Sequence, residues 1–341
     1  HTVFSATGNM GKTMMRMLAG IPPDRLAQLY FHQEIPTRRC CLRYFRITDS
    51  EVLRSVFTGR AGGRSFNGDD IDEAADSRGD CGNLAKVYQF SRRRTPLIYF
   101  LRNSMWAAGK WKSSALLEWA ESFHPDVIFF AAGDYAFSYR VTLSLAQYLQ
   151  VPVVMWCADD YYLSPPVSPF RRLQCRRLRK LARQVVRQSG SVVTISDKMG
   201  TDYARFFDVP VETVRISSDP NPYALPATQR TGIVYAGNLG LNRIAPLVEL
   251  GRALRQAALP GFSAIDVYSG EQRPAVLRQI TEENGLHYCG RISASEVERL
   301  LGRSKFLVFT ESFDDKSVRR VKYSLSTKIS ESLRSGACLL A

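Results

Sequence analysis

Three groups of residues have the types and spacing to do chemistry. The first is Lys322-Tyr-Ser-Leu-Ser-Thr-Lys-Ile-Ser-Glu-Ser-Leu-Arg-Ser-Gly336. It reads as a hydroxyl-rich loop, a short helix and a glycine stop, followed by an apolar run of strand length over 337–341. Ser324 or Ser326 can cap the helix by accepting from its free amides. Gly336 stands where a left-handed helix end is wanted. Lys328 falls in the first turn, where a cation opposes the positive end of the helix dipole. The hydroxyls and amides of Ser326 and Thr327 and the Lys328 ammonium converge there, a combination that suits phosphate. Glu331, one turn further, can accept hydrogen bonds from hydroxyls such as a ribose offers. The competing reading is an ordinary capped helix with a solvated Lys and Glu.

The second group is Gly237-Asn238-Leu239-Gly240 with Arg243 behind it. Glycines in the turn after a strand let a pyrophosphate approach the backbone. The spacing is too short for G-x-G-x-x-G, so no dinucleotide fingerprint is present. Arg243 is either a partner for diphosphate charge or a solvated first-turn arginine.

The third group is a set of acids at strand ends: Asp134 after Gly133, and Asp159 and Asp160 after Cys157-Ala158. Open α/β sheets build sites at such positions. These carboxylates could orient hydroxyls or serve as a base, or they could cap the loop into the Pro-rich stretch 164–169. Adjacent acids match a D-x-D metal motif poorly. Near the amino terminus, Thr7-Gly8-Asn-Met-Gly11-Lys12-Thr13 matches the end of a P-loop, but Ala6 occupies the place of its opening glycine. A strand-to-helix loop facing a cleft is the preferred reading. The rival is a P-loop kinase or NTPase using Gly11-Lys12-Thr13, with Asp134 as its magnesium acid.

The elements that must position these groups alternate. Strands are expected at 26–31, 127–132, 152–156, 192–195, 211–216, 232–236, 264–268, 286–288 and 306–309. Helices are expected to about Leu18 and over 113–123, 139–149, 170–188, 198–207 and 244–257, with Ser293-x-x-Glu296 as a capping box. The pattern implies parallel sheets covered by helices. Residues 58–80, rich in Gly, Ser and Asp, read as a mobile surface insertion without EF-hand spacing. Residues 217–226, rich in Pro and Ser, read as part of a linker.

The 341 residues suffice for two domains, and a hydrophobic fraction of 45% fits a globular chain. The chain begins at His1 and ends inside an apolar run, which reads as a fragment trimmed at both ends, more at the C-terminus. No apolar run approaches the length that spans a bilayer. The formal charge of +14 admits nucleic acid, anionic membrane or phosphorylated substrates as partners. No RNA-binding signature accompanies the basic and aromatic residues of 38–48, so nucleic acid is not expected. The charge is densest on helix 170–188, where Arg171, Arg172, Arg176, Arg177, Arg179 and Lys180 form a cationic face. That face either is solvated or docks on anionic lipid. Seven cysteines without a C-x-x-C pair read as reduced, mostly buried thiols of a cytosolic protein, and four scattered histidines give no metal-ligand spacing.

The run Ser326-Thr-Lys-Ile-x-Glu-x-Leu-x-x-Gly336 resembles the nucleotide-sugar motif near the end of retaining GT-B glycosyltransferases, in particular the bacterial polysaccharide (glycosyltransferase family 4-like) group. The resemblance covers most of 190–341 and, loosely, 1–57. It implies that Glu331 holds the ribose and that Ser326, Thr327 and Lys328 hold the diphosphate and sugar. It further implies that Gly237, Asn238 and Gly240 form the first donor-side loop and that Arg243 neutralises the departing diphosphate. Many members carry a second glutamate eight positions before the first; here Tyr323 stands there, and Glu311, Asp314 or Asp315 could replace it.

The implied fold is α/β, with two Rossmann-like domains facing across a cleft: 1–216 on the acceptor side, a linker at 217–231, and an incomplete donor domain at 232–341. Gly8, Gly11 and Lys12 would form an acceptor-side loop, and Asp134, Asp159 and Asp160 are catalytic candidates by position. The implied function is sugar transfer from a nucleotide-sugar to a glycan or lipid-linked acceptor, without metal, in the cytoplasm or on the inner face of the cell membrane. A non-catalytic sugar-binding relative is the remaining alternative.

Overall fold

Apolar runs of strand length alternate with amphipathic helices along the chain, and every strand pair but one is parallel among the described residues. The computed structural model describes residues 3–4, 9–37, 39–71, 96–166, 168–215 and 219–341. It divides into two units, His1–Ile216 and Ser217–Ala341.

The first unit contains α1 (Asn9–Met17), β1 (Ala27–Tyr30), β2 (Arg43–Arg46), α2 (Asp49–Thr58) and β3 (Arg64–Asn67). There follow α3 (Pro96–Ala108), α4 (Ser114–Phe123), β4 (Ile128–Ala131), α5 (Ala136–Leu149), β5 (Val153–Cys157), α6 (Pro169–Ser189), β6 (Ser191–Thr194), α7 (Asp197–Phe207) and β7 (Val211–Thr213). β4, β5, β6 and β7 form a parallel sheet in that order, and β1, β2 and β3 form a separate mixed sheet. Val3 and Phe4 are buried in one cluster with Tyr30 and Tyr44 of the three-stranded sheet and Trp156 of the four-stranded one. Phe4 also donates its amide to Gln28 Oε1 at 3.3 Å.

Two elements depart from the sequence reading. The stretch read as a mobile insertion contains β3, antiparallel to β2, and a 3₁₀ turn over Gly68–Asp70. Its one aromatic, Phe66, stacks on Tyr44 with ring centroids 5.2 Å apart, which anchors an otherwise polar segment. The acids at 72, 76 and 80 lie outside the described residues. Helix α2 was not anticipated. It starts on a full capping box in which Thr48 and Glu51 satisfy each other's backbone amides.

The second unit contains β8 (Thr231–Ala236), α8 (Ile244–Ala257), β9 (Ile265–Tyr268), α9 (Pro274–Leu277), β10 (Leu286–Gly290), α10 (Ala294–Arg303), β11 (Ser304–Val308), α11 (Asp315–Val321), α12 (Thr327–Ser335) and β12 (Cys338–Leu340). The sheet is parallel in the order β10-β9-β8-β11-β12. Side chains alternate across it. Ile233 and Tyr235 pack with Leu247 and Val248 of α8, while Val234 and Leu307 pack with Leu301 of α10. Both faces are therefore covered, as in a doubly wound sheet. The order of the chain reverses between β8 and β11, and the loops leaving the carboxyl ends of those strands flank the switch point where such sheets bind ligands. The stretch read as linker is fastened to this unit. Asn221, 4% exposed, donates its amide to Arg334 O and its side chain to Glu298 O, at 3.0 and 2.7 Å.

Helix α8, which follows Arg243 directly, is set by a close backbone approach. A Cβ on Gly251 would overlap the carbonyl oxygen of Asn284 in the turn before β10 and lie 2.9 Å from Leu286 Cδ2. Gly251→Ala should therefore lower stability by about 1–3 kcal/mol, as overpacking does. The check is the midpoint of thermal or urea unfolding; an unchanged midpoint would mean that α8 can lift away freely.

Candidate functional site

Helix α12 begins where its hydroxyls allow. Ser326 is the N-cap and accepts the Lys328 amide at 3.4 Å, and Gly336 closes the helix in the left-handed conformation. This places Lys328 in the first turn. Its side chain runs to the end of β8, where the ammonium lies so close to the Gly237 Cα that any Cβ there would overlap it. The same ammonium sits 5.1 Å from the centre of the Tyr235 ring. Gly237 is held by its amide, which donates to Tyr268 O at 2.9 Å. Glycine at 237 is thus a requirement of space.

The loop after β8 is built by its own side chains. Asn238 Oδ1 accepts the Gly240 amide, and Asn238 O accepts the Tyr235 hydroxyl at 2.8 Å. Asn238 is a builder of this turn. Leu241 and Asn242 then both take left-handed backbone conformations, with φ of 57° and 56°. The Leu241 carbonyl accepts from Ser317 Oγ at 3.1 Å, and Asn242 Nδ2 donates to Ser312 Oγ at 3.3 Å, which ties the turn to the loop after β11. Arg243 leaves this turn and is not a solvated arginine. Its Nε and Nη2 donate to the two Glu311 oxygens at 3.0 and 2.7 Å, a bidentate pair with side chains 17% and 23% exposed.

Lys328, Arg243, Glu311 and Glu331 act on one another electrostatically. Burial and then the Arg243 charge pull the Lys328 ammonium down to about 8, while Glu311 and Glu331 oppose them. Two cations, two carboxylates, the start of a helix and a glycine bend therefore share the mouth at the β8–β11 switch point. Such a mouth can hold a compact dianion. Of the carboxylates considered for the missing glutamate, Glu311 is the one at this site. Asp314 caps α11 by accepting Ser317 N at 2.9 Å, and Asp315 is exposed beside Arg319. Tyr323 is buried, 6% exposed.

The acids of the first unit are largely engaged. Asp160 accepts from the amides of Tyr162, Leu163 and Ser164, from Ser164 Oγ, and from the Tyr203 hydroxyl at 2.9 Å. Burial alone would raise its carboxyl, but these donors outweigh burial and hold it below the usual carboxylate range. With its oxygens so occupied, Asp160 organises the loop. Asp134 accepts the hydroxyl of buried Tyr99. Asp159 is exposed, with the Tyr161 hydroxyl 3.4 Å away.

Three further expectations are corrected. Gly11 and Lys12 lie inside α1, which is already wound at Asn9, so they form neither a loop nor a P-loop; Met14 seats this helix in the core, flanked by Met10, Met15 and Met17. Gly8 lies outside the described residues. On α6, Arg171 and Arg179 are not part of the outward face: Arg171 lies 5.1 Å over the Tyr99 ring, and Arg179 Nε donates to Tyr162 O at 2.6 Å. Arg172, Arg176, Arg177 and Lys180 are exposed, beside the exposed apolar Phe170 and Leu173. Of the described cysteines, only Cys41 and Cys157 are buried.

No protein-family model and no curated protein matches the chain. Among solved structures, it is similar to HepE of Anabaena in complex with UDP, at 15% identity and TM-score 0.48 over 67% of this chain and 63% of HepE. It is similar to TarM of S. aureus, at 12% identity and TM-score 0.47 over 66% of this chain and 43% of TarM. It is similar also to a UDP-forming α,α-trehalose-phosphate synthase from Burkholderia vietnamiensis, at 10% identity and TM-score 0.45 over 74% and 68%. The chain spans less than two thirds of the length of HepE and of TarM. At these identities and TM-scores the likenesses assign neither residue roles nor an activity.

Proposed function

We propose that the chain is a glycosyltransferase that takes a sugar from a nucleoside-diphosphate donor. The observation that carries the proposal is the seating of the Lys328 ammonium on Gly237, at the same mouth as Arg243 and the amide end of α12. Sugar transfer from such a donor expels a diphosphate, and preorganised donors aimed at its developing charge lower the barrier. Lys328 and the amides near Ser326 and Thr327 bind the diphosphate. Arg243, whose Nε and Nη2 face Glu311, turns its remaining nitrogen to the leaving phosphate. Glu331 takes the ribose hydroxyls. The motif resemblance supports a retaining hexosyl transfer, without metal, to a cell-surface polysaccharide or lipid-linked acceptor.

The outward face of α6 supports docking on an anionic membrane from the cytoplasmic side. Four exposed cations there, with Phe170 and Leu173 beside them, fit a surface that attracts about 1 kcal/mol per basic residue.

Arg243→Ala and Glu331→Ala should each weaken nucleotide-sugar binding by about 10- to 100-fold, the worth of a charge-assisted hydrogen bond, with Lys12→Ala unchanged. Calorimetry or thermal shift against UDP- and GDP-sugars checks this; equal losses for Lys12→Ala and Arg243→Ala would defeat the assignment. Binding without donor turnover would instead mark a non-catalytic relative. The pH dependence has a definite sign. Below pH 8 Lys328 is already charged in the free protein, whereas above it binding a dianion must take up a proton. Affinity should fall by up to about tenfold per pH unit above 8, and Lys328→Met should flatten the profile. Replacing Arg172, Arg176, Arg177 and Lys180 by Ala should reduce co-sedimentation with anionic vesicles by more than about tenfold and leave donor affinity intact.

A further inference from the structure

We infer that Asp266, His287 and Cys289 form a binding site for a divalent metal of borderline softness, zinc(II) before others. The three ligand atoms all lie within 4.8 Å of one another, and no other trio of acid, histidine and cysteine does so among the described residues. The strands bring them together. Asp266 on β9 is directly opposite His287 on β10, and the pairing shifts between Tyr288 and Gly290, so that Cys289 is the bulged residue. Bulges re-aim side chains, and here the bulge leaves the sulfur beside the imidazole. Ile265 and Val267 alternate with Asp266 into the core under α8, so the trio faces the opposite side of the sheet.

The spacing is that of a coordination shell. His287 Nδ1 is 3.2 Å from Asp266 Oδ1 and 3.7 Å from Cys289 Sγ. A tetrahedral zinc with ordinary bond lengths separates nitrogen from oxygen by about 3.3 Å and nitrogen from sulfur by about 3.6 Å. These two separations match zinc to within a few tenths of an ångström, and the Asp266 carboxylate and Cys289 sulfur need only close on the ion from within 4.8 Å of each other. The donor set also selects. Sulfur and imidazole favour zinc, whereas magnesium and calcium prefer oxygen alone. The side chains of His287 and Asp266 are 63% and 44% exposed, which leaves a fourth position open to water. Without a metal, burial and then the Asp266 charge raise the Cys289 thiol against the lowering effect of Tyr268 and the Val267 backbone, so binding must displace a proton. On coordination Cys289 loses its proton to solvent and its sulfur bonds the metal, with no redox change. The metal would clasp β10, the edge strand of the sheet, to β9. The site is built on β9 and β10, shares no ligand with the Lys328 cluster, and stands whether or not the chain transfers sugar.

The test is titration of the metal-free full chain with zinc(II) against a chromophoric chelator, with cobalt(II) as a spectroscopic probe. One equivalent should bind, and the cobalt form should show thiolate-to-cobalt charge transfer in the near ultraviolet. Cys289→Ser should abolish that band, and Cys289→Ser, His287→Ala and Asp266→Asn should each weaken binding at least tenfold. Because all three positions are at least partly exposed, the metal-free variants should melt as the parent does; His287→Gln serves if His287→Ala does not. A band that survives Cys289→Ser, or unchanged affinity in the histidine variants, would overturn the site. Failure of zinc to bind the parent at micromolar concentration would do the same.

Discussion

The second unit depends on an ammonium pressed against a backbone that has no side chain to repel it. The Lys328 position is locally unfavourable twice over, in the first turn of a helix and half-buried. It is tolerated because Gly237 leaves room and because Glu311 and Glu331 supply opposing charge. Each partner reaches the mouth by a different route: Glu331 along the same helix, Glu311 from the loop after β11. The neighbour relation of β8 and β11 is therefore what assembles the cluster. A strand order that parted β8 from β11 would separate Arg243 from Glu311 and leave Arg243 and Lys328 with less opposing charge.

The first unit uses carboxylates differently. Asp160 and Asp134 accept from phenolic hydroxyls whose rings belong to the core, and the buried Tyr139 and Tyr162 pair hydroxyl to hydroxyl. A phenol buried without a partner would be costly, and an acid at a strand end is within reach of several. Acids at the carboxyl ends of parallel strands are thus suited to two tasks, and residue type alone does not separate them.

Much of the second unit was legible because its signals are local. Ser326 capping α12, Gly336 ending it, and the Ser293–Glu296 box opening α10 are decided within a turn of the residues that signal them. The Thr48–Glu51 box before α2 carries the same signature, but it follows a basic, aromatic stretch that reads as strand. What could not be read is set by distant partners. Arg243 meets Glu311 across 68 positions, and Arg171 and Arg179 turn inward because Tyr99 and the Tyr162 carbonyl wait there. Strand β3 is polar by composition and exists through pairing with β2. The Asp266–His287–Cys289 trio had a local trace, the alternation of His287 and Cys289, but its third member comes from the neighbouring strand.

The consecutive left-handed residues Leu241 and Asn242 have a consequence for how this chain can change over generations. A side chain held in that conformation costs about 1–2 kcal/mol, and glycine would relieve it. Drift toward thermal robustness would therefore favour glycine at 241, yet the freed backbone would let the arginine two residues on wander from its station. Leucine at that position is where durability and an accurately aimed guanidinium pull in opposite directions.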